Sequence, residues 1–297
     1  MGWKDFIELL DEQGGVAACR QADGCGLDRS TLNRRVAKEG WARPFPGVIR
    51  APGVRDDERT RARAAVLAVG GDAALAGESA LWWRGVTDKP PPFITILVRW
   101  GRRGRNLAGV RIIRSRVIEP DDLEEVDGIL VTTIERACLD LAGRVPRRRL
   151  RSHLIDARQR RKVQLSKVAE RALKVLRVPG RNRLLRLVME LDPRNADSIF
   201  TDMVHQRLVA DGLVPDQKPV PVPVPGRTLH PDITFAAHQL AIECDGYGSH
   251  SERSQLELDN RKTNAYQIVK WNVLRIDWDR FENDWDGFLA EVRAFIR

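Results

Sequence analysis

Two short apolar runs, Pro231-Asp232-Ile233-Thr234-Phe235 and Leu240-Ala241-Ile242-Glu243-Cys244-Asp245, are separated by only four residues, 236–239. A connection of that length makes two strand-like runs antiparallel neighbours in a hairpin. Regular pairing then sets Phe235 opposite Leu240, Thr234 opposite Ala241, Ile233 opposite Ile242, and Asp232 opposite Glu243. Directly opposed residues hold their Cβ atoms about 5 Å apart, so two acids placed there repel unless a cation intervenes. Asp245 lies two residues past Glu243, and strand alternation returns it to the same face. Three carboxylates are therefore expected to converge, which suits a hard cation such as Mg²⁺ with its preference for oxygen donors. An acidic sheet surface without a ligand is the alternative, and it is the poorer design in a chain of net charge +9.

The residues around the hairpin fill in an α/β unit. Ile199, Met203, Val204 and Leu208 recur at helical spacing, and Gly212 ends that helix. Between 219 and 225 proline alternates with valine. Proline donates no ladder hydrogen bond, so this stretch is expected as an edge strand or a polyproline segment lying along the domain. Farther on, Asp259-Asn260-Arg261-Lys262 falls in a polar helical stretch, and 269–276 reads as another strand. Arg261 and Lys262 are candidates for clamping phosphate, with ion pairs to Glu257 or Asp259 as the plainer role.

A chain of 297 residues exceeds the usual size of one hydrophobic core. Its pI near 9.8 suits a phosphate-rich partner. The basic residues are grouped: Arg99, Arg102, Arg103, Arg105, Arg111, Arg114 and Arg116 in one run, and Arg144 to Lys162 in another. Arginine in excess over lysine favours phosphate contact over a merely solvated face. No stretch approaches the roughly 18 apolar residues of a membrane span, and an acid at Asp5 argues against a secretory leader, so the expectation is a cytoplasmic protein without a membrane partner. Cys19, Cys25, Cys138 and Cys244 lack the histidines of a zinc site and are expected as buried reduced thiols.

At the start, Lys4–Glu12 reads as a helix, Val16–Ala22 as a second, and Asp28 as the N-cap of a third that carries Leu32 and Val36 one turn apart. Trp41 to Arg50 then reads as a small hairpin, giving a winged helix-turn-helix over 1–54. Arg29, Thr31, Asn33, Arg34 and Lys38 are the side chains placed to reach a DNA groove; a helical module for protein contacts is the alternative. Helix-turn-helix proteins often act in pairs, which makes a homodimer one expectation, although no heptad pattern is visible. Residues 55–180 alternate helices (59–69, 79–83, 133–142, 147–161, 165–176) with strands (93–98, 110–113, 129–131) in a basic mixed α/β middle domain, and Pro179-Gly180 marks its end before the α/β domain at 182–297.

Pro231-Asp232, ten residues, Glu243-Cys244-Asp245-Gly246 and then His250 resemble the core of PD-(D/E)XK nucleases. More narrowly they are similar to a bacterial domain-of-unknown-function family related to very-short-patch repair endonucleases, whose later parts have counterparts in Asp259-Asn260-Arg261-Lys262 and Val269-Lys270-Trp271-Asn272-Val273-Leu274-Arg275-Ile276. The resemblance spans about the last hundred residues. It implies a restriction-endonuclease-like α/β domain and Mg²⁺- or Mn²⁺-dependent DNA cleavage, with Asp232 and Glu243 as metal ligands, Asp245 as a third ligand or outer acid, and His250 as general base or phosphate contact. The motif lysine is replaced by Asp245, and in place of the glutamate often supplied by the first helix the sequence offers Asp202. The first two thirds are similar to actinobacterial AbiEi-like antitoxin proteins, which implies DNA binding and autoregulation. A DNA-binding regulator with a non-catalytic nuclease fold is therefore the alternative to an endonuclease.

Overall fold

A computed structural model describes residues 2–101, 106–245 and 253–296, with the side chains of 253–260 also outside the described set. It is a mixed α/β protein that divides into two compact units, Met1–Leu184 and Leu185–Arg297.

The first unit begins with α1 (Trp3–Glu12), β1 (Val16–Ala18), α2 (Cys19–Gly24), α3 (Arg29–Lys38) and β2 (Val48–Arg50). Asp28 caps α3 as its sequence implies, its carboxylate accepting the backbone N–H groups of Ser30 and Thr31. Val16–Ala18, expected to be helical, is instead a strand antiparallel to β2. The reason lies in packing on both faces. Ala17 and Ile49 point into a cluster with Phe6, Leu10, Leu32 and Val36, while Val16, Ala18 and Val48 point the other way, onto Ala64, Leu67 and Ala68. Period-two alternation serves two apolar layers at once, which a single helical turn of Val-Ala-Ala cannot do. Ala42 bridges to Arg50, closing the loop after α3.

The elements that follow are α4 (Glu58–Val69), β3 (Ala74–Leu75), α5 (Gly77–Trp83), β4 (Ile94–Arg99), β5 (Val110–Ser115), β6 (Leu123–Val126), β7 (Ile129–Thr132), α6 (Ile134–Ala142), α7 (Arg147–Gln159) and α8 (Leu165–Leu173). The strands form one mixed sheet of order β5-β4-β3-β7-β6, in which β4 and β5 run parallel. The packing of β1 and β2 against α4 gives the N-terminal segment a core in common with this region. A buried charge network ties the helices down: Asp122 accepts from Arg136 Nη1 at 2.7 Å and from Arg171 Nε and Nη2 at 2.5 and 2.7 Å. The four cysteines carry free thiols, Cys138 and Cys244 buried as expected but Cys19 and Cys25 only partly so, at the edge of the N-terminal cluster.

The chain passes through α9 (Arg181–Leu191) into the second unit, with α10 (Ala196–Ala210), β8 (Val222–Val224), β9 (Arg227–Leu229), β10 (Ile233–Phe235), β11 (Leu240–Asp245), α11 (Arg253–Ile268), β12 (Asn272–Asp277), α12 (Trp278–Asn283) and α13 (Trp285–Phe295). Its sheet has the order β10-β11-β12, antiparallel then parallel. The proline-rich stretch contributes only β8, paired with β9 in a separate ribbon. Thr234 pins the segment that leads there, its Oγ1 donating to Asp216 Oδ2 and accepting the N–H of Val220. Among the described residues no helix is long and apolar enough to cross a membrane.

Candidate metal and nucleic-acid sites

The β10–β11 register places Ile233 opposite Ile242, Thr234 opposite Ala241 and Phe235 opposite Leu240, through a tight turn in which Gln239 adopts the left-handed conformation. Asp232 stands one residue before that ladder, after Pro231, which has no N–H to give to it. Its carboxylate reaches across to β11, and Oδ2 accepts the backbone N–H of Cys244 at 2.8 Å. Oδ1 has no hydrogen-bond partner among the described residues.

Glu243 is 5 % exposed, and α11 grips both of its oxygens. Tyr266 donates its hydroxyl to Oε1 at 2.7 Å, and Lys262 donates Nζ to Oε2 at 2.6 Å. Residues four apart share one face of a helix, so a single face of α11 supplies both groups. The parallel strand β12 sets Arg275 beside Glu243 in register, and Arg275 Nε lies 3.7 Å from Asp245 Oδ2.

The electrostatics mark Asp232 as under-compensated. Burial pushes its carboxyl above the ordinary value, and the charges of Glu243 and Asp197 push the same way against the Cys244 N–H and the Lys262 ammonium. Burial likewise raises the Cys244 thiol, helped by the surrounding carboxylates and opposed by a hydrogen bond with Thr201. The Tyr266 phenol is held up by burial and by its bond to Glu243.

Asp232 and Glu243 are thus neighbours. Asp245 is drawn to Arg275, and among the described residues no three His, Cys, Asp or Glu side chains gather as an ion-holding group. His250 and Gly246 lie outside the described residues, as do the side chains of Glu257 and Asp259. Burial raises the carboxyl of Asp202, against an opposing influence of the nearby His205. The α10 acid whose charge reaches Asp232 is Asp197, in the first turn of that helix. Sequence reading passed over Asp197, and it also passed over Tyr266, although Lys262 and Tyr266 stand at a spacing that could have revealed the shared face. The residues that could hold a hard divalent cation are Asp232, one of whose oxygens has no partner among the described residues, and Glu243 beside it; burial first, and then the charges of Glu243 and Asp197, raise the Asp232 carboxyl.

On α3, Leu32 and Val36 face the core, whereas Arg29, Asn33, Arg34 and Lys38 are exposed. Thr31 is half-buried and spends its hydroxyl on Asp28 Oδ2 at 2.6 Å. Asn33 Oδ1 accepts from Arg43 Nη2 at 2.8 Å, and its amide nitrogen has no hydrogen-bond partner among the described residues. Arg261 is exposed on α11, whereas Lys262 is committed to Glu243.

No protein-family model matches the chain, and no curated protein does. Among solved structures it is similar to the RV2827C protein from Mycobacterium tuberculosis, at 20% identity and a TM-score of 0.37, over 70% of this chain and 75% of that one.

Proposed function

We propose that the chain is a divalent-metal-dependent DNA endonuclease. In this reading the α3 face places it on the duplex, the arginine-rich region adds affinity, and the 182–297 domain hydrolyses the phosphodiester. The observation that carries the reading is the Asp232–Glu243 pair on adjacent strands, with Asp232 held above its ordinary pKa by burial and by its acidic neighbours. Asp232 and Glu243 would hold Mg²⁺ or Mn²⁺, with Asp245 as a further acid. Bound there, the ion would offset charge on the phosphoryl oxygens and acidify a water. The chain's own groups do the rest: Tyr266 and Lys262 hold Glu243 in place, Cys244 N–H orients Asp232, and exposed Arg261 meets a phosphate oxygen. His250, outside the described residues, is the proposed proton-transfer group.

The test is divalent-ion-dependent nicking of plasmid DNA. Asp232→Ala and Glu243→Ala should each lower cleavage at least a hundredfold and leave duplex affinity within a few-fold, because phosphate contacts elsewhere carry binding. Equal cleavage by wild type and both variants would sink the assignment.

One observation favours the second reading, a DNA-binding regulator of the antitoxin kind whose nuclease fold does not turn over. Both oxygens of Glu243 are already engaged, one of them by the ammonium of Lys262. An internal cation at that position does the compensating work expected of a metal. Sequence-specific protection of DNA without nicking, in the presence of Mg²⁺ or Mn²⁺, would establish this reading over the first.

A further inference from the structure

The two arginine runs, separated by about thirty residues of sequence, meet at one cleft of about 540 Å³ in the first unit. Arg114 and Arg116 come from the end of β5, Arg144 from the turn after α6, and Arg177 from the turn after α8. A close approach of backbone brings the last two together. Gly143 packs so tightly on Pro179 that a Cβ would fall 2.6 Å from its carbonyl oxygen. The β5 end is fixed as well, because Arg136 Nη1 donates to Val117 O at 2.7 Å. Arg144 and Arg177 are exposed and form no ion pair among the described residues.

An aromatic ring stands in the same wall. Trp100 follows β4, held by its N–H to Ser115 O at 2.7 Å, and is 57% exposed, unusual for so large an apolar side chain. The Arg116 guanidinium lies 4.9 Å from the centre of its ring, a cation–π arrangement that stiffens the indole. At the floor is the single carboxylate of the lining, Asp140, 7% exposed. Its Oδ1 is occupied by Arg136 Nε at 3.0 Å, and its Oδ2 is buried with no partner.

Two exposed arginines that form no ion pair among the described residues, beside a stiffened and exposed aromatic face, match a ligand with phosphate and a flat base. We infer that this cleft binds an unpaired nucleotide, its phosphates on Arg144, Arg177 and Arg116 and its base stacked on Trp100. Duplex DNA offers phosphates but no open base face, so the cleft selects an unpaired base. The ligand is a free nucleotide or one unit of a single strand, which share this chemistry.

The test uses the full chain in EDTA, so that it is independent of any metal at Asp232 and Glu243. Isothermal titration compares ATP, pyrophosphate and a six-nucleotide single-stranded DNA, with a duplex of the same sequence as reference. Wild type should bind ATP, the single strand or both more tightly than pyrophosphate, and whichever binds names the source. Trp100→Ala should weaken that binding about tenfold or more, the effect of removing one stacking platform, and Arg144→Ala with Arg177→Ala should weaken it further. All three positions are exposed, and unchanged circular dichroism certifies that the variants fold. Binding of neither ligand, pyrophosphate binding as tightly as both, or indifference of nucleotide binding to Trp100→Ala would overturn the inference.

Discussion

At the residue scale, Asp140 shows what burial does to a carboxylate whose compensation is incomplete. Arg136 reaches only one of its oxygens, and burial raises its pKa to about 6 despite that partner. Between the ordinary carboxylate value and 6 the folded chain therefore binds a proton that the unfolded chain has released. Folding stability contributed by this site is full below about pH 4 and is lost as pH rises through 6, by up to roughly 3 kcal/mol. Asp140→Asn keeps an acceptor for Arg136 Nε and cannot titrate. Its stability should therefore rise relative to wild type as pH goes from about 4 to about 7, measured by urea denaturation at closely spaced pH values. Parallel curves for the two proteins would show that Asp140 ionises normally.

At the element scale, Asp122 is the joint between the short helical turn at 120–122, α6 and α8. It is fully buried, and the arginines of both helices hold it below the usual carboxylate range against its own burial. Removing one partner from a buried ionic network leaves the others uncompensated, which costs about 3–5 kcal/mol. Asp122→Ala should cost that much in chemical denaturation, whereas Asp88→Ala, which breaks the exposed pair with Arg160, should leave the denaturation midpoint nearly unchanged. Equal losses would mean that α6 and α8 do not depend on this joint. Such joints were not legible in the sequence, because Asp122, Arg136 and Arg171 are far apart in the chain and each looks like a surface residue. Elements with strong local signals were legible: α3 from its cap and Leu32/Val36 spacing, the β10–β11 register from a four-residue connection, and β4, β5 and β7 from their branched runs. Where the deciding interaction is nonlocal the reading failed. Val16–Ala18 becomes a strand only because Val48–Arg50 returns to pair with it, and the two-residue β3 has no periodicity to detect. In the candidate site, Asp232 and Glu243 came from strand register, whereas Asp197 and the grip of Lys262 and Tyr266 on Glu243 needed the helices in place.

At the scale of the whole molecule, the α3 and arginine-run groups proposed to hold the duplex and the acids proposed to cut it belong to different units. The α3 face and both arginine runs fall within Met1–Leu184, and Asp232, Glu243, Lys262 and Tyr266 fall within Leu185–Arg297. In the endonuclease reading, that partition separates affinity from chemistry. Arg34→Ala with Lys38→Ala removes two exposed cations from α3 and leaves every residue of Leu185–Arg297 as it is. Every phosphate that a side chain no longer neutralises should reduce the slope of log affinity against log salt by about 0.9. The double variant should therefore bind duplex more weakly at about 0.15 M salt, with a slope shallower by close to twice that amount. Its single-turnover cleavage rate at saturating protein should equal that of wild type, since the bound complex presents the same acids to the scissile phosphate. Fluorescence anisotropy across a salt series and quenched-flow cleavage measure the two quantities on the same samples. An unchanged slope would remove α3 from the interface, and a slowed saturating rate would show that α3 sets the position of the phosphate as well as holding the duplex.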